Sequence, residues 1–478
     1  MREVVEELLG VEEKYHLCKK EIDGFQFWQY ERYYIDNYLR LDGNLPGQSK
    51  DSKWNLVKYY LTKSSRLKKD KPVDICFISH PRRVLCDGQY ECIYTDEVAK
   101  KFPGSVTFEN FYEREHREPI MSQNVLYMDR PVIEAELYVL FRGLFAKKRK
   151  QKIAERIYGE LKQPLQDLMT AEEVRKLAWR SAGDFYRYRY LHKRFKRILN
   201  CMRPKLVVEV VSYGPKCMII NEICKDMGIR TIELQHGAIG EKVLAYNYAA
   251  GDAIRQFPDK IYLFGDYYKQ NIRCPLSPDC LVSIGFPYFE RSIRAYMEYK
   301  RQDDRYTILF LSQGMYTRSM SDVAVALRHL TNTEKVRIIY KLHPFEYHNW
   351  QEIHPTLQDS GVEVVGEKGM PLYECFATSD AQVGVASTAV YEGLGFELRT
   401  FILKHAFSGR LQGLVEQGVA ELVENADDIA EKLDVSKPIA YSVDFFWKRN
   451  ALYNLEHALQ MELHQAQCSD GGRISRWR

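Results

Sequence analysis

The sequence predicts an α/β protein of two Rossmann-like domains, each wound around a parallel sheet. Three observations lead there. At 478 residues the chain exceeds what one hydrophobic core ordinarily organises, so two or three domains are expected. After Pro204 a strand, a helix and a strand follow one another, the rhythm of a βαβ unit with parallel strands. From Tyr306 a second series of short apolar strands and helical segments begins afresh.

Composition bounds the partners. Hydrophobic residues make up 45% of the chain, enough to bury such cores, and the formal net charge of +4 is small for this length. Overall charge therefore predicts no nucleic-acid partner. Eleven cysteines, an odd number without paired C-x-x-C spacing, are read as free thiols of a cytoplasmic protein, not as a disulfide framework or a zinc site. The start, "MREVVEELLGVEEKYH", mixes charged and apolar residues at helical spacing and lacks the apolar core of a secretory signal. Nowhere does an apolar stretch approach the roughly 18 residues of a spanning helix. The expected contact with a membrane is peripheral.

In chain order, "FQFWQYERYYIDNYLR" and "KWNLVKYYLT" place aromatics three and four apart, which predicts helices with one large apolar face. The basic stretch "KSSRLKKDKP" closes this lead segment, and "VDICFISHP" reads as a buried strand ending at His80. "AELYVLFRGLFAKKRKQK" (135–152) is read as one apolar helix whose cationic end suits either the helix dipole or a membrane surface. The segment from Asp184 to Leu199 interleaves Tyr with Arg and Lys, the pattern of an aromatic-packed solvated helix or of a face for anionic chains. "KLVVEVVSYG" is a strand, "PKCMIINEICKDMG" a helix with Pro215 in its first turn and Gly228 near its end, and "IRTIEL" the next strand. "DKIYLFG" and "CLVSIGFP" add two strands, and the domain hinge is placed at Gly285, Phe286 and Pro287. The second series runs through "YTILFLSQG", "VRIIYKLHP", "VEVVG", "AQVGVAST" and "TFILK" with helices between them; a last helix, 445–463, precedes a polar tail expected to be mobile. The resulting division is 1–286, 287–440 and 441–478.

In open α/β sheets the carboxyl ends of the strands carry the ligand site, which selects the loops worth reading. In the first domain these hold His80, Ser212, Tyr213, and the run Gln235, His236, Gly237. A histidine beside a glycine at a strand end can present its imidazole to a cleft, and the same residues also suit a packed core histidine. In the second domain they hold Ser312, Gln313 and Gly314, then Lys341, His343 and Pro344, then Ser387 and Thr388. Ser387 and Thr388 open a helix, where free N–H groups and the dipole favour a phosphate, and where Ser and Thr are also ordinary caps. His343 can donate to a phosphate oxygen or protonate a leaving phosphate. Glu392, one helical turn beyond Thr388, can accept from ribose hydroxyls.

The stretches "YKLHPFE", "LYECFATSDAQVGVASTAVYEGLGF" and "TFIL" resemble the donor-binding half of GT-B glycosyltransferases that build bacterial surface polysaccharides. The pairing of a His-Pro loop with a Ser-Thr loop is similar to that in bacterial sialyltransferases, Kdo transferases and the CDP-glycerol polymerases of teichoic acid. The resemblance implies that His343, Ser387 and Thr388 bind the nucleotide phosphate. "LQHGAIG" resembles a His-Gly motif of capsule and teichoic-acid transferases, which implies a general base or acceptor-site role for His236. The resemblance extends over about residues 205–405.

These readings lead to a GT-B enzyme, two Rossmann-like domains facing across a cleft, with the acceptor on the N-terminal side and the nucleotide-activated donor, CMP- or CDP-linked, on the C-terminal side. The expected reaction is an inverting, metal-independent transfer to a growing polysaccharide or lipid-linked acceptor, with His236 and His343 as catalytic residues and no cofactor beyond the donor. The expected location is the cytoplasm, at the inner face of the membrane. Two rivals are a nucleotide-sugar epimerase or hydrolase of the same fold and a non-catalytic nucleotide-sugar binding protein. His80 or Asp87 is the next base should His236 be structural.

Overall fold

The computed structural model describes residues 4–41, 43, 53–63, 73–81, 83–109, 115–249, 254–270, 272–297, 303–313, 318–405, 408–433 and 439–474. The chain forms two compact units. The first takes the described residues of Arg2–Phe264, Tyr268–Pro287 and Asn450–Arg478; the second takes Gly265–Tyr267 and Tyr288–Arg449.

The first unit is built on strands β1 (Ile75–Ile78), β2 (Val84–Cys86), β3 (Gln89–Glu91), β4 (Val106–Glu109), β5 (Val125–Tyr127), β6 (Leu206–Val210), β7 (Arg230–Leu234), β8 (Lys260–Leu263) and β9 (Leu281–Ser283). Seven of them form one sheet in the order β5-β4-β1-β6-β7-β8-β9, with every neighbouring pair parallel. β1 and β6 are buried along their whole length, as expected of parallel strands covered on both faces. β2 and β3 form a separate antiparallel hairpin. Its two turn residues, Asp87 and Gly88, have φ of 49° and 78°, the sign that the tight hairpin turn of an Asp-Gly pair requires. Asp87, the reserve base of the sequence reading, is thus an exposed turn residue.

The helix Pro215–Met227 behaves as its sequence predicts: Pro215 occupies the first turn and Gly228 ends it in the left-handed region, with φ 69°. The Tyr-Arg-Lys segment lies inside a helix of 32 residues, Ala171–Met202, opened by a reciprocal capping box between Thr170 and Glu173. Leu455 and Leu459, from the helix Ala451–Ile474, join Phe77, Val208 and Ile232 in the core of this unit. That helix continues to Ile474, so the polar stretch is helical as far as that residue.

The stretch 135–152 is two helices, Asp129–Phe145 and Lys147–Leu161, broken at Ala146. Lys147, Lys148, Arg149 and Lys150 therefore open a helix instead of closing one, where the dipole opposes them. The dipole reading of this basic run is overturned. Most of the other basic stretch, "KSSRLKKDKP", lies outside the described residues.

The second unit has strands β10 (Tyr306–Leu311), β11 (Val336–Lys341), β12 (Glu363–Val365), β13 (Ala381–Gly384), β14 (Arg399–Leu403) and β15 (Glu421–Val423). They form one parallel sheet, β12-β11-β10-β13-β14-β15. Ile308, Phe310, Val383 and Phe401 carry its core. In both sheets the chain starts at a central strand, builds outward on one side, and then reverses to the other. The reversals fall between β1 and β6 and between β10 and β13. Each unit is a Rossmann-like α/β domain, and such reversals are where this class opens its binding crevice.

Candidate functional site

In the first unit the crevice position is lined by the loops that leave β1, β6 and β7. Ser79 and His80 leave β1, Ser212 and Tyr213 leave β6, and Gln235 to Gly237 leave β7. Most of these residues converge on His236 or its support. The imidazole is held at both nitrogens: the Tyr213 hydroxyl lies 3.2 Å from Nε2, and the Tyr246 hydroxyl 3.5 Å from Nδ1. The Tyr94 hydroxyl donates to the His236 carbonyl at 2.8 Å. The His80 ring stacks toward that of His236, 6.2 Å between centroids. Tyr94 stacks in turn on Phe286, 5.3 Å away and nearly coplanar.

Below this layer sits a carboxyl absent from the sequence reading. Glu233 is fully buried in β7; it accepts the Tyr246 hydroxyl at 2.7 Å and is bound by both the backbone N–H and the hydroxyl of Ser212. Its register partner in β6 is Glu209, also fully buried, which accepts from the Asn221 amide at 2.7 Å. Burial pushes Glu233 up to about 7, against the hydrogen bonds from Ser212 and Tyr246, and pushes Glu209 up to about 8. Burial lowers the His236 imidazole to about 4, with His80 adding to the effect, so the ring is neutral at pH 7. A sequence signal exists for Glu209, a lone Glu inside the otherwise apolar strand "LVVEV"; Glu233 sits in "RTIEL", where Arg230 and Thr231 already make the strand look polar.

Gln235 is a structural residue by its contacts. It is buried, accepts from the Phe264 N–H at 2.7 Å and donates to the Gly237 carbonyl at 2.8 Å, which fixes the loop carrying His236. A Cβ at Gly237 would meet nothing within 4 Å, so the glycine is not demanded by space. The N-terminal helices reach the same place. Tyr33 packs against Tyr213, 4.7 Å between rings. Arg32 is paired with Glu12 and donates to the carbonyls of Leu244 and Asn247, in the segment that carries Tyr246.

A second buried network lies beside β1 and β4. Arg83 binds Glu109, Asp96 and Ser122, and the His116 Nε2–H donates to the Asp129 carboxylate at 2.8 Å, with Glu109 3.9 Å from Nδ1. Burial alone would lower the His116 imidazole, but hydrogen bonds to Asp129 and Glu109 prevail and raise it to about 9. No residue of this network stands out in the sequence.

In the second unit the reversal between β10 and β13 is bridged directly: the Gln313 side chain accepts from the Ala386 N–H at 3.0 Å. Ser312 donates to Glu346 at 2.8 Å, and Glu346 also accepts from the His343 N–H at 2.7 Å and pairs with His354 at 2.9 Å. Burial would raise the Glu346 carboxyl, and the bonds from His354, Ser312 and His343 together hold it below its ordinary value. His343 begins the 3-10 turn Pro344–Glu346, and its Nδ1 accepts from the Phe345 N–H at 3.3 Å, which leaves the ring anchored by that nitrogen. Lys341 donates to the carbonyls of Gly366 and Met370 and so ties down the segment after β12.

Ser387 accepts from the Ala389 N–H at 3.2 Å, while Thr388, the residue before the helix Ala389–Gly395, makes no capping bond and is exposed. Glu392 is half-buried on that helix. The geometry thus brings together Ser312, Gln313, His343, Ser387 and Thr388 at one edge of one sheet. Gly314 lies outside the described residues.

No family model matches the chain, and no curated protein matches its sequence. Solved structures do resemble it. The UDP-GlcNAc 2-epimerase from Neisseria meningitidis bound to UDP-GlcNAc is 12% identical, over 82% of this chain and 100% of that one, at a TM-score of 0.45. MurG from Acinetobacter baumannii is 10% identical over 82% and 100%, at 0.44. The wall teichoic acid polymerase TagF is 10% identical over 93% and 99%, at 0.40. Similarity of this degree assigns no chemistry to the chain; its own side chains must carry that.

Proposed function

We propose that this protein is a GT-B glycosyltransferase that moves a sugar or sugar-like group from a CMP- or CDP-linked donor to a surface-polysaccharide or lipid-linked acceptor, with inversion and without a metal. The observation that carries the reading is His236. Its imidazole is neutral at pH 7, stands at the crevice edge of the first sheet, and is held between two tyrosine hydroxyls above a buried carboxyl. Such a ring can take the proton of an acceptor hydroxyl. The acceptor oxygen then forms its bond to the donor carbon as the bond from that carbon to the phosphate oxygen breaks, and the electron pair leaves on the phosphate.

The second unit supports the donor role. Ser387, Thr388 and the N–H groups that begin the next helix lie at the same sheet edge as His343, donors suited to the charge that develops on a leaving phosphate. Contact with the inner face of a membrane is supported by the helix Asp129–Phe145. It exposes Leu137, Leu140 (60%), Phe141 and Phe145 (82%), and Lys147, Lys148 and Arg149 follow, also exposed. Among the described residues no helix is long and apolar enough to cross a membrane.

Thermal-shift measurements against CMP, CDP, UDP, GDP and dTDP test the reading, since a ligand of the native state raises the melting temperature. CMP or CDP is expected to do so, and His236→Asn to keep that shift while losing about 100-fold or more in turnover. No shift with any nucleotide, or normal turnover in a stably folded His236→Asn protein, would remove the proposal.

A further inference from the structure

We infer that Glu233, acting through the Tyr246 hydroxyl, selects which ring nitrogen of His236 carries the proton, and is thereby a positioning residue for the reaction. The inference rests on the proposal that His236 is the base, and it adds what makes the ring usable. A neutral imidazole has one N–H and one lone pair, and only the nitrogen with the lone pair can accept a proton. Nε2 is the nitrogen beside Tyr213; Nδ1 points back toward Tyr246 and Glu233, whose Oε1 lies 3.9 Å away.

The Tyr246 hydroxyl has a single proton and two neighbours that compete for it, Glu233 Oε1 at 2.7 Å and His236 Nδ1 at 3.5 Å. When Glu233 is ionised, the carboxylate takes that proton as a hydrogen bond, because bonds to ionised acceptors are the stronger ones. The phenol oxygen is then an acceptor toward Nδ1, the ring proton sits on Nδ1, and the lone pair is on Nε2. When Glu233 is protonated its hold on the phenol weakens, and Tyr246 can donate to Nδ1. The ring proton then moves to Nε2, and the base is lost without any change in its charge.

The surroundings agree with this division. The groups facing Glu233 are Ser212 from the end of β6, Tyr246 from the turn Leu244–Tyr246, Glu209 across the strand pair, and, more weakly, Tyr213 from the loop after β6 and Cys217 from the helix Pro215–Met227. Those facing His236 are Tyr213, Tyr246 and His80. The burial that raises Glu233 to about 7 and lowers His236 to about 4 separates the two titrations, so near neutral pH the carboxyl changes state while the ring stays neutral.

Nitrogen-15 NMR of histidine-labelled protein reads the tautomer without reference to activity, with His236→Asn identifying the signal. In the full chain the ring is expected to carry its proton on Nδ1 at pH 8.5 and to shift toward the Nε2–H form as pH falls through about 7. Glu233→Gln cannot titrate, and Tyr246→Phe removes the shared proton; in each the tautomer ratio is expected to stay constant from pH 6 to 8.5. The pH profile of kcat should lose its inflection near 7 in Glu233→Gln. A tautomer that ignores pH in the unaltered protein, or a pH-dependent one that survives Tyr246→Phe, overturns the inference. If His236 is not the base, the NMR result stands and only the kcat profile fails, so the two failures are distinguishable. Because Glu233 is buried, melting curves of both variants accompany the spectra, and Tyr246→Phe, which keeps the ring volume, carries the test if Glu233→Gln does not fold.

Discussion

The guanidinium of Arg32 donates to the Leu244 carbonyl oxygen at 2.7 Å, a bond between residues 212 positions apart in the chain. Arg32 also donates to the Asn247 carbonyl and is paired with Glu12 through two nitrogens. One buried side chain thus fastens the first helices to the segment that holds Tyr246 in place. Those helices are part of the site's support.

Arg32→Ala is expected to destabilise the first unit by about 3–5 kcal/mol, because it leaves the Glu12 carboxylate buried and unpaired. Urea unfolding measures this. The double variant Glu12→Ala, Arg32→Ala should lose less than the two single losses added together, and a double loss equal to that sum would show that the two groups do not interact.

Stability should fall as pH rises from about 7 to 9.5. Glu209 and Glu233 have folded values raised to about 8 and about 7, so the folded state binds more protons than the unfolded one from the ordinary carboxylate range up to those values; above pH 7 what remains is chiefly the loss through Glu209, complete soon after pH 8. His116, raised to about 9, acts in the same direction: its contribution is complete below the ordinary histidine range and lost as pH climbs through 9. His236 is lowered to about 4 and has finished its opposite contribution by pH 7. Melting temperatures across this range check the trend, and Glu209→Gln should flatten it between pH 6 and 8.5. An unchanged slope in that variant would remove Glu209 from the account.

His343→Ala is expected to weaken nucleotide binding by about 1.5–3 kcal/mol, roughly ten- to a hundredfold, the worth of one hydrogen bond to an ionised oxygen. Titration calorimetry reads it directly. Among the described residues the ring is anchored through its own turn, at Phe345, so the melting temperature should change little. Equal affinity in the variant would return His343 to a structural role.

Leu140→Ser with Phe141→Ser should reduce binding to anionic vesicles at low salt while leaving nucleotide binding intact. Each exposed cation near such a surface contributes about 1 kcal/mol and is screened by salt. Co-sedimentation at low and high salt gives the comparison. Vesicle binding unaffected by both substitutions and salt would rule out this face.

The fold is legible where punctuation and periodicity agree. Pro215 and Gly228 bracket a helix in the sequence and do so in the structure, between two strands of largely apolar character. Ala146 shows the opposite case: the break between two helices falls at a good helix former, with no Gly or Pro to mark it, so the sequence pattern puts the basic run at the wrong helix end. Strands β4 and β5 escape a sequence reading because both are short and β4 is half polar, and with them go Glu109 and the Arg83 network. Of the site, the loops at strand ends are readable because topology dictates them. Glu233 is not, since a glutamate in a strand looks like an exposed edge residue until the sheet order places it inside the sheet.

Leu455 and Leu459 complete a core whose other members precede Pro287. The domain begun first is therefore finished last. On the ribosome, all of residues 288–449 must be made before the closing helix emerges, a delay on the order of ten seconds at ordinary rates of synthesis. Until then the apolar sheet surface awaiting those leucines stands in water, while the second domain already has all of its own sequence. A nascent chain of this protein is most prone to aggregate while residues 288–449 are being made, and a truncation at 449 would prolong that state indefinitely.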